Sequence, residues 1–80
     1  MRLSILLFAS YAEALGGPTV ELDLPDDATV ATAVGALRAR PGAGRLPARP
    51  LVAVNQEYAD WDRRLDAADE VAIIPPVAGG

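Results

Sequence analysis

Hydrophobic and polar positions alternate along this chain in short runs that change period several times. Leu3-Ser4-Ile5-Leu6-Leu7-Phe8 reads as a first strand, with Leu3, Ile5 and Leu7 on one face and Ser4, Leu6 and Phe8 on the other. A strand apolar on both faces belongs inside a sheet rather than at its edge. Ser10 is placed to cap a short helical turn through Leu15, stopped by Gly16-Gly17. Thr19 to Leu24 alternates strictly, Val20, Leu22 and Leu24 inward and Glu21 and Asp23 outward, and predicts a half-buried second strand antiparallel to the first. Pro25-Asp26-Asp27 is a turn. Thr29 is a good N-cap, and the two aspartates before it suit a positive helix end. Val30, Val34 and Leu37 then repeat at helical spacing, Arg38 and Arg40 suit the negative end, and Pro41-Gly42 stops the helix.

Residues 41–50 carry three prolines and two glycines and predict a loop without a second domain behind it. Leu51-Val52-Ala53-Val54 is a third strand, followed by a turn at Asn55-Gln56. Glu57 to Leu65 has no period and reads as irregular, with Leu65 as its core anchor. Asp66 to Asp69 turns the chain into a last strand, Val71 to Ile74. The predicted order is strand, strand, helix, strand, strand. One helix covers only one face of such a sheet, which predicts a two-layer α+β domain over residues 1–74.

Parity then places Leu6 and Phe8 opposite Leu3, Ile5 and Leu7, and Ala72 and Ile74 opposite Val71 and Ile73. If the first and last strands are neighbours, Leu6, Phe8, Ala72 and Ile74 form an apolar patch on the face without the helix. Such a patch is either a partner interface or is covered by residues 57–65. Tyr58, directly after the turn that follows the third strand, is the aromatic of that segment best placed for an interface, and Trp61 is assigned to packing.

After Ile74 the period stops. Pro75 has no N–H for a ladder, and Pro75-Pro76 favours a stiff extended stalk. Six residues at about 3.1 Å each let a flexible tail, 75–80, reach roughly 19 Å. Gly79 and Gly80 have no side chains, so they fit a channel too narrow for other residues, with the Gly80 carboxylate as the chemical group at the tip.

Composition removes most chemistry from the body. Of the 80 residues, none is Cys, His or Lys, so no thiolate, imidazole base, Schiff base or acceptor amine on a lysine is present. Hydrophobic residues are 51% of the chain, but sixteen of them are alanine, so the core is modest. A net charge of −4 without a basic stripe argues against nucleic-acid binding. No apolar run has membrane-spanning length, and the apolar stretch after Met1-Arg2 is interrupted by Ser4 and reads as a strand rather than a signal peptide. The chain is therefore expected in the cytoplasm. Asp60, Asp62, Asp66, Asp69 and Glu70 lack a calcium-loop glycine pattern and read as a solvated acidic turn able to steer a basic partner. Gly42-Ala43-Gly44-Arg45 follows a helix and lacks the phosphate-binding lysine. No metal site and no acid–base pair is expected, and the protein is not expected to be an enzyme alone.

Val52-Ala53-Val54-Asn55-Gln56-Glu57-Tyr58 and Asp69-Glu70-Val71-Ala72-Ile73-Ile74-Pro75-Pro76-Val77-Ala78-Gly79-Gly80 resemble the small subunit of molybdopterin synthase, as do Phe8-Ala9 and Thr29-Val30. The resemblance spans the chain and is most specific in the tail. It implies the ubiquitin-like β-grasp fold, a mixed sheet of four to five strands with one main helix on one face. It also implies a sulfur carrier that binds no cofactor. By the same resemblance, an ATP-using activating enzyme would adenylate Gly80, a sulfurtransferase would convert the adenylate to a thiocarboxylate, and the large synthase subunit, in a heterotetramer, would pass the sulfur to cyclic pyranopterin monophosphate. The family's interface falls on Phe8, Tyr58 and Ile74, with Pro75, Pro76 and Val77 entering the partner and Gly79-Gly80 at the reacting end. Two departures stand out: Ala68 replaces the usual glycine before the Asp-Glu pair, and Ala12 stands where some members carry arginine. Carriers for thiamin thiazole, cysteine or tRNA thiolation share the Gly-Gly end, but Pro75-Pro76 favours the molybdopterin carrier. A ubiquitin-like modifier, joined through Gly80 to a lysine, and a plain interaction domain are the readings of other classes.

Overall fold

In the computed structural model, which describes residues 1–76, the strands form one mixed sheet in the order β2-β1-β5-β3-β4. β1 (Arg2–Leu6) pairs antiparallel with β2 (Thr19–Asp23), from Arg2 opposite Asp23 to Leu6 opposite Thr19. On its other side β1 runs parallel to β5 (Val71–Ile74), with Ile5 opposite Val71 and Leu6 opposite Ala72. β3 (Leu51–Val54) lies antiparallel to β5 and to the two-residue β4 (Glu57–Tyr58). The most apolar strand, β5, thus occupies the centre, flanked by β1 and β3. This is the α+β, β-grasp arrangement.

Helix α2 (Val30–Arg38) packs on one face of the sheet. Val30, Val34 and Leu37 are buried with Leu3, Ile5 and Leu7, Val20, Leu22 and Leu24, Val52 and Val54, and Val71 and Ile73. The cap is reciprocal: the Thr32 amide donates to Thr29 Oγ1, and the Thr29 amide donates to Thr32 Oγ1. Such a cap stabilises a helix by about 1 kcal/mol. Leu65 is buried as expected. Among the described residues no helix is long and apolar enough to cross a membrane.

The structure differs from the sequence reading at four places. β1 ends at Leu6 rather than Phe8, because Ala9 takes a positive φ of 50° and turns the chain abruptly into helix α1 (Ala9–Leu15). Ser10 therefore lies inside α1, and Phe8 holds the N-cap position without a side-chain bond. Helix α2 stops at Arg38, before Arg40. The 41–50 loop contains a 3-10 turn, Ala43–Arg45, that buries Ala43 and Leu46. It depends on Gly42, whose φ is 87° and where a Cβ would lie 2.1 Å from the Ala14 carbonyl oxygen. Finally, the segment after Gln56 begins with β4 rather than irregular chain. Asn55 and Gln56 both adopt positive φ, 53° and 71°, which closes a two-residue hairpin of type I′.

Candidate functional site: an apolar groove beside the end of the central strand

On the helix-free face, register partners share a side of the sheet, and Leu6, Ala72, Ala53 and Tyr58 form one row across β1, β5, β3 and β4. The two central positions are alanine and the two ends are large. A row that is small in the middle and tall at its ends makes a groove. Its volume is about 360 Å³, and Phe8, Ile74, Gln56 and Glu70 complete its lining. The next pair along the β3–β5 ladder is Leu51 opposite Ile74. Phe8, Leu51 and Tyr58, at 47%, 52% and 72% exposure, are the large hydrophobic side chains left open to solvent among the described residues. All three belong to this face. Elsewhere the face is polar: Arg2 Nε donates to Asp23 Oδ1 at 3.1 Å, and Ser4 Oγ donates to Glu21. The hydrogen bond from Arg2, with its charge, holds the Asp23 carboxyl below the usual carboxylate range.

Residues 57–65 do not cover the groove. After Tyr58 the segment crosses to the start of α2, where Ala31 N–H donates to Trp61 O at 3.0 Å, Val30 N–H to Arg63 O at 2.9 Å and Leu65 N–H to Ala28 O at 2.9 Å. Trp61 is half-buried against the core, with the Arg49 guanidinium 4.8 Å from its ring centre. Tyr58 is the residue of this segment that lines the groove.

The acidic turn is more ordered than its composition suggests. Asp69 accepts hydrogen bonds from Asn55 Nδ2 at 2.9 Å, the Asp66 amide at 2.8 Å and Arg63 Nη1 at 3.0 Å. The Asn55 bond, then the Asp66 amide, hold its carboxyl below the usual range against the opposing effect of burial, and Arg63 adds to them. Asp66 in turn accepts from the Ala68 amide at 3.1 Å, so the turn closes with alanine at that position. These carboxylates shape the approach to β5: Asp60, Asp62, Asp66 and Glu70 are exposed, as a solvated turn requires, and Asp69 is half-buried.

The structure brings Phe8, Tyr58 and Ile74 into one groove and places Pro75, half-buried, and Pro76, exposed, directly after β5. Val77, Gly79 and Gly80 lie outside the described residues. Sequence reasoning missed Ala53, Gln56, Glu70 and Leu51. The same parity argument applied to the third strand would have found Leu51 and Ala53; Gln56 and Glu70 enter through a hairpin and a register that sequence does not display. The lining is apolar apart from Gln56, the Tyr58 hydroxyl and Glu70, a composition suited to holding an apolar side chain.

Residues 5–80 match the ThiS family. The chain belongs to that family. It is 40% identical over 83 residues to the molybdopterin synthase sulfur carrier subunit of Dictyostelium discoideum, covering 99% of this chain and 96% of that one. It is also 40% identical over 83 residues to small archaeal modifier protein 1 of Haloferax volcanii, covering 92% and 95%. The crystal structure of SAMP1 from Haloferax volcanii superposes over the full length of both chains with a TM-score of 0.83 at 36% identity. ThiS-family membership thus agrees with the ubiquitin-like sheet and with the resemblance carried by the tail residues.

Proposed function

We propose that this ThiS-family chain is the sulfur carrier of a molybdopterin synthase. The Gly80 carboxylate is the working group. A carboxylate is a poor electrophile, so a partner adenylates it with ATP, releasing pyrophosphate, and AMP then leaves as a sulfurtransferase delivers sulfide-level sulfur to give the thiocarboxylate. The large synthase subunit takes the tail into its active site, and the sulfur passes to cyclic pyranopterin monophosphate. The catalytic groups and ATP belong to the partners, in the cytoplasm, and this chain supplies the acyl end, the stalk from Pro75 and the docking groove.

The observation that carries this reading is where the central strand ends. β5 finishes at Ile74, which lines the groove and pairs with Leu51, and the chain enters Pro75-Pro76 at that point. A partner that grips Phe8, Tyr58 and Ile74 therefore receives the tail at the edge of its own contact. The likeness to a curated sulfur carrier subunit over nearly the whole chain supports the same role.

The test is intact mass after incubation with ATP, an activating enzyme and a sulfur source, followed by conversion of the pterin precursor on adding the large subunit. Replacement of one oxygen of Gly80 by sulfur is expected. An unchanged mass in the presence of an enzyme that thiolates a control carrier would overturn the reading. The 40% identity to a small archaeal modifier supports a second reading, in which Gly80 is joined to lysines of other proteins. Covalent conjugates recovered by pull-down from cells, with no thiocarboxylate formed, would establish that reading instead.

A further inference from the structure

The apolar groove has one charged end. Glu70, Ala72 and Ile74 follow one another at two-residue steps, so they share the helix-free face, and all three line the groove. At the Ile74 end the neighbour across the ladder is Leu51, and Pro75 leaves there. At the Glu70 end the neighbour is the hairpin that carries Gln56, because the Asn55 amide donates to Glu70 O at 2.8 Å and the Glu70 amide to Asn55 Oδ1 at 2.9 Å. Between the two ends lie Ala53 and Ala72, paired, small and buried. The groove is thus apolar along its floor and carries an amide and a carboxylate at the end away from the stalk.

Glu70 is exposed, and among the described residues its carboxylate joins no ion pair and accepts no hydrogen bond; only its backbone is engaged, with Asn55. Its surroundings do not neutralise it. A second hollow shares Leu6 and Glu70 with the groove and adds Arg2, Ser4, Glu21 and Asp69. There Arg2 is paired with Asp23, and Asp69 with Arg63. Glu21 accepts from the Ser4 hydroxyl, which carries no charge. With those pairs set aside, Glu21 and Glu70 leave this end of the groove negative.

We infer that the protein seated in the groove presents a lysine or arginine to Glu70, its methylene stem over Ala72 and Ala53 and its charged head between Glu70 and Gln56. The inference rests on the carrier reading and names the chemistry of the surface that the large subunit brings. Two arguments select a cation. Glu70 belongs to the groove lining itself, so a protein seated there takes water from its carboxylate. A carboxylate covered without a partner is strongly unfavourable, and a cation offsets that cost. The second argument is shape. Ala72 and Glu70 are about 6.6 Å apart along the strand, a span that a lysine or arginine stem covers, and such side chains lay their stems on apolar surface while the charged head stays among polar groups. The Gln56 side chain offers a carbonyl acceptor beside the carboxylate, which suits a cation with several N–H donors. An apolar side chain of the same partner fills the Phe8 and Ile74 end. With the cation held at Glu70, the far end of the groove, where Pro75 leaves, is the end that delivers the tail.

The experiment measures the affinity of the full chain for the large subunit of molybdopterin synthase by titration calorimetry at several salt concentrations. Wild type is compared with Glu70→Gln, which keeps the shape and removes the charge, with Glu70→Lys, which reverses it, and with Gln56→Ala. Asp27→Asn, in the exposed turn before α2, is the control for a change in net charge alone. Glu70→Gln is expected to weaken binding about tenfold or more, and Glu70→Lys about a hundredfold or more. Gln56→Ala should cost about fivefold, and Asp27→Asn less than about twofold. Wild-type affinity should fall as salt rises, and that of Glu70→Gln should fall less steeply. Circular dichroism checks the fold, and Glu70→Gln carries the test if Glu70→Lys does not fold. Affinity and salt slope unchanged in Glu70→Gln, or lowered equally by Asp27→Asn, overturn the cation site and leave the groove and the carrier reading standing. Failure of wild type to bind overturns the carrier reading and this inference with it.

Discussion

Asn55 Nδ2 donates to Asp69 Oδ1 at 2.9 Å, and this contact joins the β3–β4 turn to the turn that feeds β5. Two further bonds complete the join: the Glu70 amide donates to Asn55 Oδ1 at 2.9 Å, and the Asn55 amide donates to Glu70 O at 2.8 Å. Because β5 is central and only four residues long, a clamp at its entry fixes the register that puts Ala72 on the groove floor. The carboxyl of Asp69 is depressed, first by the Asn55 bond. A depressed folded value means that the ionised form contributes stability above the unfolded value of about 3.9, and that this contribution is lost as pH falls through the folded value. Urea midpoints measured below about pH 4 should therefore drop more steeply for wild type than for Asp69→Asn. At neutral pH the variant should be about 1–3 kcal/mol less stable, since its bonds were to a charged acceptor. Parallel pH profiles for the two proteins would remove Asp69 as the source.

The groove makes its own prediction. Its floor is two alanines, so Ala72→Leu fills it from the inside of the row without adding charge. Affinity for the large subunit should fall at least tenfold, while far-ultraviolet circular dichroism remains that of the folded protein. Phe8→Asp, at an exposed position, should cost 2 kcal/mol or more, roughly thirtyfold, as expected for an aromatic anchor. Titration calorimetry reads both, and unchanged affinity in either variant would exclude the groove as the docking site.

Gln56 holds φ at 71°, a conformation that L side chains rarely adopt. Left-handed backbone costs about 1–2 kcal/mol per residue, and glycine escapes that at an entropic cost of about 0.4–1 kcal/mol in the unfolded chain. Gln56→Gly should therefore stabilise the fold by roughly 0.5–1 kcal/mol, raising Tm by about 2–8 °C in a domain of this size. A lower Tm in differential scanning calorimetry would mean that the Gln56 side chain contributes more to the hairpin than its backbone strain removes.

Gln56 also shows where legibility stopped. The strands that alternate or run apolar, Thr19 to Asp23 and Val71 to Ile74, were readable because burial imposes their pattern directly. The helix stripe Val30, Val34, Leu37 was readable for the same reason. β4 was not, since it is two exposed residues closed by Asn-Gln, where a glycine after the asparagine would have announced the hairpin. The break after Leu6 was hidden because its cause is the conformation of Ala9, and alanine carries no turn signal. Gly42 looked like a helix stop, yet the approach of the Ala14 carbonyl, a tertiary fact, is what excludes a side chain there. Parity exposed Leu6, Phe8, Ala72 and Ile74 as a patch, but its shape as a groove follows from the register of four strands, which no local pattern records.

The final prediction concerns the reacting end. In the carrier reading proposed above, the reacting group is the Gly80 carboxylate, on a residue without a side chain that suits a narrow active site. Deleting Gly80 shortens an extended chain by about 3 Å, and about 1 Å of misplacement can already cost roughly a hundredfold in rate. Adding one residue after Gly80 moves the carboxylate beyond the reacting position by a similar distance. Neither change touches Val71, Ile73 or any other buried residue, so Tm should stay within about 1 °C of wild type. Binding to the large subunit through Phe8 and Tyr58 should also persist. Thiocarboxylate formation, read by intact mass, and delivery of sulfur to the pterin precursor should both collapse by about a hundredfold or more. Normal loading and delivery by the deletion variant would show that the sulfur is carried elsewhere than on Gly80.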